Sequence, residues 1–198
     1  MSANKYVLGR KIGSGGNKDV FEVEGADEIA IGVLKPGKNP AQIDEEIRLL
    51  ERLRVRGILV VEVVDMTMHD DRPAVVWRKY AQGSKSVVRA ERGRVRRVGS
   101  SEHFNEISIG DLTIIKKLMR DVNIKIDDLQ FLIGADGHVV VADPLAVHYD
   151  TQTSVSNQRM IDLLIDAAKE NVARRDEEIA RNLDGDDAHD EYDEHDAS

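Results

Sequence analysis

Gly13-Ser14-Gly15-Gly16, followed by Asn17-Lys18-Asp19-Val20, is the first stretch whose residue types suit chemistry. Glycines at such spacing let a backbone approach a phosphate closely, or simply supply the positive φ that a hairpin turn needs. A dinucleotide fingerprint would require these glycines to open a helix, whereas here they run into Val20-Phe21-Glu22-Val23, which alternates like a strand. Gly-x-Gly-x-x-x-x-Val between two strands fits a loop lying over nucleotide phosphates. That reading asks for a lysine at the end of the next strand, and Ala30-Ile31-Gly32-Val33-Leu34-Lys35 supplies Lys35. It also asks for a carboxylate on the following helix. Glu46 stands next to the apolar stripe, with Glu45 and Glu51 as competitors.

The remaining chemistry lies near a second hairpin. Phe131-Leu132-Ile133 and Val139-Val140-Val141 flank the turn Gly134-Ala135-Asp136-Gly137. A two-residue turn would set Gln130 opposite Asp143, and a four-residue loop would set Asp128 there. Either way Asp128, Gln130 and Asp143 gather at one end of the ribbon. Two carboxylates and an amide beside a phosphate cradle suit magnesium–nucleotide chemistry, one carboxylate binding metal and the other orienting or deprotonating a hydroxyl.

The elements that must position these residues are legible from periodicity. Three short strands, the first over 6–8 and 11–12 and the others at 20–23 and 29–35, separated by two tight turns, make an antiparallel meander. Over 41–54 the period becomes helical, with Ile43, Ile47, Leu50 and Leu53 in one stripe and Leu49 beside it. Strands follow at 58–64 and 74–77, with a polar turn at 68–73. Residues 83–101 read as polar, with Arg89, Arg92, Arg94, Arg96 and Arg97 close together. Helical spacing returns over 108–120 and again over 157–182.

In this order the motifs resemble a protein-kinase-like fold of small size. Gly13-x-Gly15 with Val20 resembles the glycine-rich loop, Ala30 to Lys35 the strand with the ATP-binding lysine, and Glu46-Ile47-x-x-Leu50-x-x-Leu53 the regulatory helix. Residues 75–83, which include Lys79 and Ala81, resemble the hinge. Asp127-Asp128-Leu129-Gln130 resembles the catalytic loop and Ala142-Asp143-Pro144 the magnesium motif. The short distance between the two aspartate motifs is similar to that of the small kinases of bacterial type III effectors and polymorphic toxins.

The resemblance implies an α+β, minimal bilobal architecture. Residues 1–82 would form an N-terminal nucleotide-binding lobe, an antiparallel sheet with one helix. Residues 83–183 would form a reduced, mainly helical C-terminal catalytic lobe, and 184–198 an acidic disordered tail. It further implies ATP and magnesium as cofactors and transfer of the γ-phosphoryl group to a protein hydroxyl, Ser or Thr in preference to Tyr. Lys35, held by Glu46, would position phosphates, and Asp128 would serve as base, with Asp127 as its competitor. Asp143, with Gln130, would hold the metal. Gly13, Ser14, Gly15, Gly16, Lys18, Val20, Lys79 and Ala81 would complete the nucleotide site. The alternatives are a nucleotide-binding pseudokinase and a small-molecule phosphotransferase.

Composition narrows the field. The 198 residues carry a net charge of −9, and eight acidic residues without a basic one lie between Asp184 and Ser198. Such a tail buries too little apolar surface to offset its ordering entropy. The absence of cysteine excludes disulfides and thiolate chemistry. Without an apolar run of membrane-spanning length or a leader-like N-terminus, the expectation is a cytoplasmic protein, or one delivered into another cell if it is an effector. The arginine cluster lacks interleaved aromatics, so nucleic acid is set aside in favour of a solvated loop or a docking patch for an acidic partner.

Overall fold

The computed structural model describes residues 4–91, 94–151 and 154–186. Arg92 and residues 187–198, most of the expected acidic tail, lie outside the described residues.

The chain begins with β1 (Leu8–Ser14), β2 (Lys18–Val23) and β3 (Ala26–Leu34), then α1 (Ala41–Arg54), β4 (Val63–His69) and β5 (Arg72–Arg78). These strands form one antiparallel sheet in the order β1-β2-β3-β5-β4. Its two faces are used differently. Ile31 and Val33 pack with Val23, Ala74 and Val76 on one face, while Leu34 and Val75 meet Ile43 of α1 on the other. The strand expected at 58–64 lies later, over Val63–His69. It reverses at Asp70 and Asp71, whose φ of 48° and 58° give a two-residue turn matched to strand twist. Residues 58–62 instead run beside the second hairpin, Val61 N–H donating to Val141 O and Val141 N–H to Leu59 O, both at 2.9 Å.

The stretch read as a polar loop contains β6 (Gln82–Gly83), a 3-10 turn (Ser84–Ser86), β7 (Val88–Glu91) and β8 (Arg94–Arg97). After α2 (Glu106–Asp121) come β9 (Lys125–Asp127), β10 (Gln130–Ile133), β11 (Val139–Ala142), β12 (Ala146–His148) and α3 (Val155–Asp186). The last helix therefore extends past its expected end at 182 and includes the first residues assigned to the tail. Together these elements make an α+β, minimal kinase-like fold, with a sheet-based N-terminal part and a mainly helical C-terminal part. The main core lies in the latter, where Leu112, Ile115 and Met119 of α2 meet Ile161 and Leu164 of α3 and Phe131, Ile133 and Val141 of the hairpin. Leu53 of α1 is fully buried in that same core, so the N-terminal helix is tied to the C-terminal part.

The β10–β11 register matches neither expected hairpin. Ile133 pairs with Val139 and Gln130 with Ala142, and Gly134 N–H donates to His138 O at 2.8 Å, leaving a three-residue loop. A three-residue loop of this kind needs a left-handed residue at its end, here Gly137 at φ 90°. A side chain there would strike Asn105, which caps α2 and donates to Asp136 O at 3.0 Å. Asp111 of α2 accepts from the Val139 N–H at 2.9 Å, and Asn157 of α3 bonds both backbone groups of Ile126 at 2.9 Å. The two helices thus fix β9, which ends just before Asp128, and β11, which ends just before Asp143.

Candidate active site

A cavity of about 560 Å³ opens between the sheet and the second hairpin. From the N-terminal side it is lined by Ser14, Gly15, Gly16, Lys18, Val20, Trp77 and Glu46. Asp128, Gln130, Asp143, Pro144 and Lys85 line it from the C-terminal side. Asp128, Gln130 and Asp143 therefore face one space, as the ribbon argument requires in either register. Gly13, Lys35, Lys79 and Ala81 do not line it.

The lysine question has a clear geometric outcome. The expected Lys35–Glu46 pair is not formed. Lys18 is the lysine that pairs with Glu46, and its Nζ also lies 3.1 Å from Asp143. Strand alternation explains this. Residues opposite one another in an antiparallel pair share a face, and Lys18 is opposite Leu34 while Asp19 is opposite Val33. Leu34 faces α1, so Lys18 does too. Lys35 falls one residue further along, on the other face. There its Nζ donates to Gly15 O at 2.6 Å and lies 3.6 Å from Asp19, which Lys11 and Ser14 also hold.

Gly32 clears the route of Lys18 across the sheet. A Cβ at position 32 would lie 2.8 Å from Trp77 Cζ3, in hard overlap with the indole, and 3.4 Å from Lys18 Cδ. The missing side chain lets Trp77 lie on β3, and the Lys18 ammonium sits 5.3 Å from the centroid of that ring. Only 9% of the Lys18 side chain and 12% of Glu46 are exposed. Burial pushes the Glu46 carboxyl above its usual range. Lys18 opposes that shift and the nearby Asp143 charge adds to it.

On the opposite wall, Gln130 Nε2 donates to Asp128 Oδ2 at 2.6 Å, and Lys85 Nζ lies 3.9 Å from the same oxygen. Asp127 points elsewhere, accepting from Lys125 and His148 at 2.9 Å each; bonds from these two groups hold its carboxyl below the usual range. Asp128 and Asp143 both have left-handed backbones, φ 52° and 48°. Aspartate tolerates this better than most residues, at a cost of about 1–2 kcal/mol that the surrounding fold must sustain.

The expected hinge residues serve other contacts. Lys79 Nζ pairs with Glu22 at 3.0 Å, and the Ala81 N–H donates to Ile133 O at 2.9 Å. Sequence reasoning missed Trp77, Gly32 and Lys85. The alternation of Lys18 with Val20 was the available signal that Lys18 faces the cleft.

The family model described as the type III secretion system effector HopBF1 kinase domain matches residues 1–172. The chain belongs to the HopBF1 kinase family. A curated relative, the type III effector protein HopBF1 of Pseudomonas syringae pv. syringae (strain FF5), is 24% identical over 144 residues, 69% of this chain and 70% of the relative. The match spans both walls of the cavity, so the cleft between sheet and hairpin lies within the HopBF1 kinase domain. Membership of a kinase family implies ATP and a divalent metal. Among the described residues no helix is long and apolar enough to cross a membrane.

Proposed function

We propose that this HopBF1-family chain is an ATP-dependent protein kinase that uses Lys18, rather than Lys35, as its phosphate-binding lysine. The observation that carries the reading is the convergence of Lys18, Glu46 and Asp143 across the cavity floor. It joins a strand of the sheet, a helix and the residue after β11 at one point.

The residues present fit both groups that such chemistry needs. A cavity of about 560 Å³ falls within the usual range for small-molecule sites, and the glycine turn at residues 14–18 lines it. Among the described residues no group of three or more His, Cys, Asp or Glu could hold a metal unaided. That suits magnesium, which is typically bound by one or two carboxylates together with substrate phosphates. Asp143 would hold it, with Gln130 alongside. When bound, magnesium supplies positive charge that offsets the charge developing on the phosphates.

The protein's own work is positioning. Glu46 and Asp143 take two of the three donors of the Lys18 ammonium, which leaves the third for a phosphate. Lys35 steadies the glycine turn by bonding Gly15 O. Asp128, oriented by Gln130, would accept the proton of the acceptor hydroxyl as its oxygen bonds to the γ-phosphorus and the bond to the leaving ADP oxygen breaks. The curated relative is named a type III effector, which supports action inside a cell into which the protein is delivered.

The direct test incubates the full chain with labelled Mg-ATP and a cell lysate, beside Asp143→Asn. Label on protein, lost in the variant and resolved by phosphoamino-acid analysis, is expected. Label on metabolites alone would assign a small-molecule phosphotransferase. Nucleotide binding without turnover would assign a binding module.

A further inference from the structure

The β7–β8 ribbon carries the arginine cluster, and its pairing sorts those side chains by face. Val88 pairs with Arg97, Arg89 with Arg96, Ala90 with Val95 and Glu91 with Arg94. Val88 and Val95 belong to the main core, and Arg97 bonds Gly99 O at 2.9 Å and pairs with Glu170 of α3. That face is spent on the fold. The opposite face carries Arg89, Glu91, Arg94 and Arg96, all exposed.

Two features distinguish this face from an ordinary solvated strand pair. Arg89 stands directly across from Arg96, and like charges directly opposite in a ribbon repel. The one acidic residue on the face, Glu91, is 3.5 Å from Arg96 and balances a single arginine. The face is also continuous with the cleft. Arg89 Nε donates to Lys85 O at 3.2 Å, and the Lys85 side chain lines the cavity 3.9 Å from Asp128. A line of positive charge therefore runs from the proposed base outward along the ribbon.

We infer that this ribbon is the docking surface for the protein substrate and selects acidic residues flanking the acceptor hydroxyl. The inference rests on the protein-kinase reading above. A hydroxyl held at Asp128 lies beside Lys85, whose carbonyl Arg89 holds, and Arg96 stands across from Arg89 in the same ribbon, so the flanks of an extended acceptor peptide have this basic face next to them. Each carboxylate meeting an arginine relieves the repulsion that the ribbon carries alone, and exposed arginines recruit acidic segments by long-range attraction. Nucleic acid fits the same face less well. The described ribbon residues include no aromatic on which a base could stack, Glu91 interrupts the positive face, and the whole chain has a charge of −9.

The test uses the full chain with labelled Mg-ATP and a peptide library centred on Ser, Thr or Tyr, flanked by acidic, neutral or basic residues. The comparison variant is the double substitution Arg89→Glu with Arg96→Glu, which replaces one like-charge pair by another and leaves the pairing repulsion similar in kind. Acidic-flanked peptides are expected to be preferred by the wild type. In the variant their KM should rise roughly fivefold to tenfold, as expected for two or more exposed ion pairs, while ATP hydrolysis to water and the KM for ATP stay unchanged. A preference that shifts to basic flanks is the strongest supporting outcome. Peptide phosphorylation with no flank preference, or one that the variant leaves intact, overturns the ribbon assignment but not the kinase. No phosphorylation of any peptide or lysate protein overturns the kinase reading, and the ribbon's role with it. Salt-sensitive retention of single-stranded RNA or DNA by the wild type, lost in the variant and unaccompanied by a peptide preference, would reassign the face.

Discussion

Replacing Lys18 by methionine tests the central assignment, because Lys35 provides an internal control. Methionine keeps most of the aliphatic stem that passes over Gly32 and removes the ammonium between Glu46 and Asp143. Stripping one partner from a buried pair costs about 3–5 kcal/mol when the other charge must stay ionised. Here that figure is a ceiling. Burial already raises the Glu46 carboxyl, which takes up a proton once Lys18 is gone. The stability loss should therefore be largest at alkaline pH and shrink on acidification, readable by urea unfolding at several pH values. The rate carries the larger effect. Removing a preorganised charge from developing phosphate charge typically costs about 10²–10³-fold in kcat, or ~3–4 kcal/mol of barrier. Lys35→Met removes one bond to Gly15 O and a 3.6 Å contact with Asp19 on the far face of the sheet. One such bond is worth ~1 kcal/mol, so a roughly fivefold rise in the KM for ATP is expected, with kcat nearly unchanged. Initial rates of phosphoryl transfer by the two folded variants decide the matter. An active Lys18→Met beside an inactive Lys35→Met would refute the argument from strand faces.

Other outcomes follow from the same geometry. Gly32→Ala drives a methyl into Trp77 and should destabilise the fold by about 1–3 kcal/mol in denaturant melts, with Trp77→Leu in the same chain relieving most of the loss. Because folding raises the Glu46 pKa, its contribution to stability is present at low pH and is lost as pH rises through the raised folded value. In the free enzyme, protonating Glu46 frees Lys18, so the acid limb of the kcat/KM profile should lie above the ordinary glutamate range. Glu46→Gln should abolish that limb as well as lower the rate. Asp128→Asn should lose transfer while unfolding like the wild type, since asparagine also accepts φ 52°. Asp127→Asn, at a residue engaged by Lys125 and His148, should change the rate by only a few-fold.

Much of this protein was written locally. Period-two alternation marked the strand over residues 20–23 and two tight turns marked its neighbours, helical spacing marked α1 and put Glu46 beside its buried stripe, and an Asp-Gly turn marked the hairpin that gathers Asp128, Gln130 and Asp143. Such patterns depend on near neighbours, which the chain order supplies directly. Which lysine meets Glu46 was decided only in three dimensions. The pairing of Lys18 with Leu34, the face of β3 that α1 covers, and the space that Gly32 leaves for Trp77 each involve residues far apart in the chain. The hairpin register followed the same rule, set by Gly137 fitting against the cap of α2 rather than by the turn residues alone. A side chain's face alternates with every residue along a strand, so moving a lysine by one position carries it across the sheet. Only the partner strand and the covering helix determine which face becomes the cleft.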